Sequence, residues 1–179
     1  MKIAQIKAKI ISNKRLSGNY WHLEFESGLI AKHAVAGQFV NIRVTDGVSP
    51  LLRRPVSIHG VKALKVKIIY EIIGKGTQIL SVRKPGEVLD IIGPLGSGFN
   101  YPRRVKCTQA KNILIAGGMG VAPLVFLAEK LKLSKPLVLI GARSKKQILC
   151  CQEFKALGCT VKLATDDGSA GFKDRKSVV

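Results

Sequence analysis

The chain contains no run of about 18 apolar residues, the length a membrane-crossing helix requires. Its opening, Met1-Lys2-Ile3-Ala4-Gln5-Ile6-Lys7, alternates apolar and polar residues as a strand does and lacks the apolar core of a secretory signal. A cytoplasmic protein with no membrane association is expected. Acidic residues are scarce: 11 Asp and Glu stand against 30 Lys and Arg, a formal net charge of +19. Such an excess raises nucleic acid as a first question. The basic residues are spread along the whole chain, however, and aromatics are only 6%, with no dense Lys/Arg run interleaved with them. No nucleic-acid partner is expected. The charge reads either as a solvated surface or as attraction to anionic cofactors or an acidic partner subunit.

Cysteine is equally sparse. Cys107, Cys150, Cys151 and Cys159 match no zinc or iron–sulfur ligand spacing. They are expected to be small buried side chains, with Cys150 and Cys151 on a helix that also carries Phe154 and Leu157. His22, His33 and His59 are scattered and read as surface or internally satisfied groups. No nucleophile–base constellation stands out, and no internal repeat is present.

What the sequence does contain falls into two halves. Residues 1–100 read as strands and turns. Trp21, Leu23 and Phe25 alternate with His22, Glu24 and Glu26; Val40, Ile42 and Val44 alternate with Asn41 and Arg43; Leu64, Val66, Ile68 and Tyr70 alternate with Lys65, Lys67 and Ile69. Turn signals stand at Ser17-Gly18-Asn19, Asp46-Gly47 and Lys84-Pro85-Gly86. Period-two runs divided by such clusters predict an antiparallel β-barrel or sandwich. Residues 100–111 read as a polar, basic linker. From there Asn112–Ala116 and Pro136–Ile140 are short apolar strands of the buried parallel type, with Thr160–Ala164 a third. A helix opening at Pro123 carries Leu124, Leu127, Ala128 and Leu131 on one face, and a second helix is expected over Lys145–Leu157. This βαβαβ order over 111–179 predicts part of a doubly wound parallel sheet, the mixed-class complement to the N-terminal barrel.

Several motifs carry chemistry. Arg53-Arg54-Pro55-Val56-Ser57 is expected at an end of the barrel's middle strands. An arginine forks onto a phosphate with charge-assisted hydrogen bonds. Proline fixes the backbone, and a serine hydroxyl can both donate and accept. Gly74-Lys75-Gly76-Thr77 follows the strand ending Ile69-Tyr70-Glu71. Its glycines let backbone N–H groups approach a pyrophosphate, and the Thr77 hydroxyl adds a donor. Gly93-Pro94-Leu95-Gly96-Ser97-Gly98-Phe99 reads as a rigid turn closing the first domain. Ala116-Gly117-Gly118-Met119-Gly120-Val121-Ala122-Pro123 puts a glycine turn and a helix start after a strand, an arrangement suited to an anion. Asp166-Asp167 reads either as a ribose-hydroxyl ligand or as a polar loop. Trp21 is expected to pack in the core.

Taken in order, with Gly37-Gln38-Phe39 ahead of them, these motifs resemble the ferredoxin–NADP⁺ reductase superfamily. The closest resemblance is to the electron-transfer subunits of bacterial NAD-dependent dihydroorotate dehydrogenases, on the Gly-Pro-Leu-Gly-Ser-Gly-Phe stretch, Gly141-Ala142-Arg143-Ser144 and Thr165-Asp166-Asp167-Gly168-Ser169. The resemblance implies an FAD-binding β-barrel over 1–100 and a partial NAD(H)-binding α/β domain over 111–179. It implies that Arg54 holds an FAD phosphate and that Ser57 approaches the isoalloxazine ring beside Pro55 and Val56. Ile69, Tyr70 and Glu71 would line the flavin, though many members have a basic residue at the last position. Gly76 and Thr77 would meet the pyrophosphate, and Gly117, Gly118 and Gly120 the nicotinamide nucleotide. It also implies a catalytic dihydroorotate dehydrogenase subunit as partner, in pyrimidine biosynthesis. The alternatives are a gamma-type flavin reductase subunit of a hydrogenase or sulfide dehydrogenase, or a non-catalytic flavin-binding module. Family members carry a [2Fe–2S] cluster on four C-terminal cysteines that are absent here, so a truncated or frameshifted frame, or a fragment, is expected.

Overall fold

A computed structural model describes residues 2–101 and 112–173. Most of the expected linker, with Cys107, and the tail beyond Lys173 lie outside the described residues. The chain divides into two compact units, Met1–Phe99 and Asn100–Val179.

The first unit runs β1 (Ala4–Ser17), β2 (Tyr20–Glu26), α1 (Gly28–His33), β3 (Phe39–Arg43), β4 (Arg54–Lys62), β5 (Lys65–Glu71), α2 (Lys75–Ser81) and β6 (Val88–Leu95). The strands close a barrel in the order β1-β2-β5-β4-β3-β6, with antiparallel neighbours. Alternation along each strand sends one side chain in two inward. Leu23, Phe25, Val40, Ile42, Ile58, Val66, Ile68, Leu89 and Ile91 are all fully buried. Closure also leaves no exposed strand edge to satisfy.

Two elements depart from the strand-and-turn expectation. α1 and α2 are only six and seven residues long, too short to show a helical period in the sequence. Their ends supply the stability instead. The Ser27 hydroxyl accepts from Ile30 N at 3.1 Å to cap α1. Asn13 of β1 caps the other end of α2, donating through Nδ2 to Leu80 O and Arg83 O, each at 2.9 Å. Gly93-Pro94-Leu95 is the end of β6 and not part of the turn, which starts at Gly96.

The Gly37-Gln38-Phe39 motif has a structural reason. Gln38 is 1% exposed. Its Oε1 accepts from Val35 N at 2.9 Å, and its Nε2 donates to Gly96 O at 2.8 Å. Its own carbonyl accepts from Ile58 N at 2.9 Å, and nearby Phe99 N donates to Ala36 O at 2.8 Å. One buried amide thus ties the glycine-rich segment after β6 to the segment entering β3, satisfying backbone groups that would otherwise be orphaned in the interior.

In the second unit, β7 (Ile113–Gly117), α3 (Val121–Leu131), β8 (Leu137–Ala142), α4 (Cys151–Ala156), β9 (Thr160–Thr165) and β10 (Phe172–Lys173) follow in order. The sheet is parallel, β10-β9-β8-β7. α3 starts two residues before Pro123, which is tolerated because first-turn N–H groups have no helical partner to lose. Its buried face includes Val125 and Phe126 as well as Leu127, Ala128 and Leu131, whereas Leu124 is half-buried. The helix expected over 145–157 is broken. A 3-10 turn at Lys145–Gln147 ends as Leu149 is buried, Cys150 adopts left-handed backbone (φ +58), and α4 begins at Cys151. Of the cysteines expected to be buried, Cys159 is, while Cys150 and Cys151 are half-buried. β10 is a fourth parallel strand that the βαβαβ reading did not contain.

Candidate functional site

The barrel brings two of the sequence motifs together. Arg54 opens β4, and Gly76 lies in the first turn of α2. The Arg54 guanidinium rests directly on Gly76. A Cβ at position 76 would lie 2.6 Å from both Cζ and Nη2 of Arg54, and closer still to Nε. Glycine here leaves room for a cationic side chain to lie against the backbone. Arg54 Nη1 also donates to Leu52 O. The result is a small cradle of guanidinium, glycine backbone and first-turn N–H groups, which lack helical acceptors.

Neighbouring residues set this cradle. Thr77 is 9% exposed, and its hydroxyl works within its own turn. It accepts from Ile73 N at 3.0 Å and Gly74 N at 3.3 Å, and donates to Gly74 O at 3.1 Å. The hydroxyl expected to reach a pyrophosphate thus shapes the Gly74–Gly76 backbone. Arg53 is fixed elsewhere. Its Nη2 pairs with Asp90 Oδ1 at 2.7 Å, and its Nη1 donates to Asp90 O at 3.0 Å. Gln5 Nε2 reaches both Asp90 carboxylate oxygens, at 3.0 and 2.9 Å, and Lys7 Nζ lies 3.4 Å away. Burial pushes the Asp90 pKa up, but the Arg53 and Gln5 hydrogen bonds and the Arg53 charge outweigh it, holding the carboxyl below its ordinary value. Sequence reading missed this network; a lone Asp amid Ile and Leu on a strand was its only signal.

The other expected flavin contacts are placed unequally. Pro55 is exposed and Ser57 half-buried, whereas Val56 is buried opposite Val40. On β5, Ile69 and Tyr70 are buried and Glu71 is half-buried. The Tyr70 hydroxyl donates to Asn13 Oδ1 at 3.0 Å, and burial raises its pKa far above the ordinary phenol range, the Asn13 bond opposing only in part. Tyr70 is therefore held by its hydroxyl against β1. Trp21 is half-buried, with Nε1 lacking a hydrogen-bond partner. His59 is buried at a bulge in β4, in an edge-to-face arrangement with His22 at 6.0 Å between ring centres.

In the second unit, Gly117 ends β7 and Gly118-Met119-Gly120 forms a 3-10 turn into α3. Gly118 has φ +56, the left-handed region glycine enters without strain. A Cβ at Gly120 would meet nothing within 4 Å, so that side of the turn is open. The first turn of α3 holds no acidic residue to offset its positive end. Exposed Arg143 follows β8, and Asp166-Asp167 follow β9. These three loops share the carboxyl edge of the parallel sheet, the usual position for a nucleotide in such sheets. Asp167 is engaged within its loop, its Oδ1 accepting from Ser169 N at 2.9 Å and Ser169 Oγ at 2.6 Å. The Ser169 hydrogen bonds hold its carboxyl below the ordinary value.

Comparison with known proteins bears on both units. A dihydroorotate dehydrogenase B (NAD(+)) electron transfer subunit from Desulforamulus reducens is 44% identical over 170 residues, covering 93% of this chain and 63% of the relative. One from Bacillus pumilus is 38% identical over 168 residues, covering 92% and 64%. The chain is a homologue of these electron transfer subunits. It spans less than two thirds of their length. No protein-family model matches it. Among solved structures, an NADH-dependent reduced ferredoxin-NADP oxidoreductase aligns with TM-score 0.79 and 27% identity over 93% of this chain and 59% of that one. Ferredoxin-NADP+ reductase from Plasmodium falciparum aligns with TM-score 0.78 and 17% identity, covering 93% and 74%, a likeness of fold. The ferredoxin–NADP reductase fold is thus common to this homologue and these reductases.

The cofactors that the resemblance implies meet the described residues unequally. The Arg54 guanidinium, lying against the Gly76 backbone, supplies the cation that a phosphate of FAD calls for. The open glycine turn before α3 suits a nicotinamide nucleotide. A [2Fe–2S] cluster is not matched: among the described residues only Cys150, Cys151 and Cys159 carry thiols, the first two adjacent and the third buried. No helix of the described residues is long and apolar enough to cross a membrane.

Proposed function

We propose that this chain is the flavin- and nicotinamide-linked part of an NAD-dependent dihydroorotate dehydrogenase, exchanging electrons between NAD(H) and a catalytic partner subunit in pyrimidine biosynthesis. The observation that carries the reading is Arg54 packed on Gly76, two motif residues 22 positions apart that build one anion cradle. The relatives' name as one subunit of an assembly supports the hetero-oligomer, and the net charge of +19 suits anionic cofactors and an acidic partner surface.

The chemistry a bound flavin supplies is uptake of a hydride and release of single electrons, and the protein provides binding, orientation and tuning. Arg54 anchors a phosphate by charge-assisted hydrogen bonds. Thr77 holds the Gly74–Gly76 backbone in the conformation that presents its N–H groups. Ser57 offers a hydroxyl able to donate or accept at the ring, and Pro55 stiffens the strand beside it. Ile69, Tyr70 and Glu71 contribute the adjoining strand. Gly117, Gly118 and Gly120 admit the nucleotide phosphates to the start of α3.

Purified chain reconstituted with FAD tests the reading. Retained flavin absorbance that bleaches on addition of NADH supports it. Flavin retained without bleaching by NADH or NADPH reduces the role to a flavin-binding module. Failure to retain FAD overturns the proposal.

A further inference from the structure

The parallel sheet brings its first two loops side by side. Gly117, at the end of β7, lies in register with Gly141 of β8, so the glycine turn and the segment after β8 leave neighbouring strands together. That second segment reads Arg143-Ser144-Lys145-Lys146, with no acid in it. Arg143, Lys145 and Lys146 are exposed, and among the described residues none of them forms an ion pair. Their backbone is nevertheless fixed. The Arg143 carbonyl accepts from Asp167 N at 3.2 Å, Lys145 N donates to Ser169 Oγ at 2.7 Å, and Gln147 N closes the turn on Ser144 O at 3.0 Å. The acids at this edge are already engaged: Asp167 is bonded by Ser169, and Asp166 is not free either. In sheets of this kind the position after the second strand meets the adenosine ribose. A carboxylate there accepts from a free 2′-hydroxyl, whereas an arginine accommodates a 2′-phosphate.

We infer that Arg143, flanked by Lys145 and Lys146, is the specificity-determining group of the second unit, and that it selects a 2′-phosphorylated nicotinamide nucleotide, NADPH, over NADH. This rests on the nicotinamide part of the reading above and deepens it, because it names which nucleotide the site holds more tightly. A carboxylate at this position would repel the 2′-phosphate; a guanidinium offers it paired N–H donors. The loop backbone is pinned before a ligand arrives, so little ordering opposes binding. The phosphate and not the nicotinamide carries the choice, so both nucleotides deliver the same hydride.

Isothermal titration of the full chain with NADPH, NADH, 2′,5′-ADP and 5′-AMP tests the inference without relying on turnover. NADPH and 2′,5′-ADP are expected to bind about tenfold more tightly than NADH and 5′-AMP, a difference that shrinks as salt rises. Arg143→Met is expected to abolish that difference by weakening only the 2′-phosphorylated pair, and Arg143→Lys to keep part of it. Lys9 is an exposed cation of β1, so Lys9→Met controls for overall charge and should change nothing. Both side chains are at the surface, so far-UV circular dichroism should match the parent. Equal affinities for NADPH and NADH in the parent chain overturn the inference. So does an equal loss for both nucleotides in Arg143→Met, or a matching loss of NADPH in Lys9→Met. Retention of FAD with no binding of either nucleotide overturns it together with the nicotinamide part of the reading. A preference for NADPH in a chain that does not retain FAD leaves the inference standing and overturns the flavin reading.

Discussion

Gly76→Ala puts one carbon where the Arg54 guanidinium now lies. The added Cβ would stand 2.6 Å from Cζ and Nη2, far inside van der Waals contact. The clashing atoms are the far end of a flexible side chain, so Arg54 swings away at small cost to the fold. Alanine in a helical turn offsets part of that cost, by up to about 1 kcal/mol. Stability should therefore shift little while the cradle loses its cation. Hydrogen bonds to a charged group contribute about 1.5–3 kcal/mol, so FAD affinity should fall roughly ten- to hundredfold. Arg54→Ala should cause a similar loss by removing the same cation directly. The informative measurement is the cycle. If Gly76 acts by making room for Arg54, the double variant should bind FAD about as weakly as either single one, giving a coupling energy near the size of the single effects. Fluorescence titration with FAD and urea unfolding on the same four proteins supply both axes. Additive losses, or parent-like affinity in Gly76→Ala, would refute the cradle.

Asp90 predicts a pH dependence. Its folded pKa is depressed, so its contribution is present above the unfolded carboxyl value of about 4 and is lost as pH falls through the folded pKa. Acid unfolding monitored by circular dichroism should steepen below about pH 4, and Asp90→Asn should remove that component. The same substitution leaves Arg53 facing a neutral amide and should cost about 3 kcal/mol near neutral pH, read from the urea midpoint. Gln38→Ala strips partners from Val35 N and Gly96 O in a site 1% exposed. It should cost about 2–4 kcal/mol in urea unfolding of the full chain, with the m-value preserved; a loss under about 0.5 kcal/mol would show that water replaces the amide.

The barrel was legible because its signal is local. Alternation at Leu23–Phe25 and Val66–Ile68 follows from one buried face, and β2 and β5 carry it into paired strands, while Leu64 is exposed and Ile69 is buried against the expected pattern. The parallel sheet was legible for a similar reason, since short apolar runs between helices have few other uses. The missed elements are those whose stability is not local. α2 persists because Asn13, 62 residues before its first residue, caps its far end, and no window of sequence contains both. The break before α4 follows from burying Leu149, which helical periodicity cannot foresee. Within the site, residue types were legible and their internal hydrogen bonds were not. The Thr77 hydroxyl bonds within its own turn. The Tyr70 hydroxyl bonds Asn13 of β1.

Arg53 and Arg54 make the point at the level of chemistry. Side by side in sequence they look like two equal claims on a phosphate. Successive residues of extended backbone point to opposite sides, so the two guanidinium groups cannot serve one ligand in the same way. Arg53 turns to the strand that carries Asp90 and becomes half-buried structure, its charge spent on a carboxylate held by Gln5 and Lys7. Arg54 turns to α2, meets no acid among the described residues, and keeps its charge available. The first arginine fixes the entry to β4, and that fixed entry is what lets the second lie on Gly76 rather than wander in solvent. Loss of Asp90 should for that reason weaken FAD binding as well as stability, through the position of Arg54, although Asp90 itself touches no ligand. If Asp90→Asn unfolds more easily yet binds FAD with parent affinity at neutral pH, the two arginines act independently and this account of the pair is wrong.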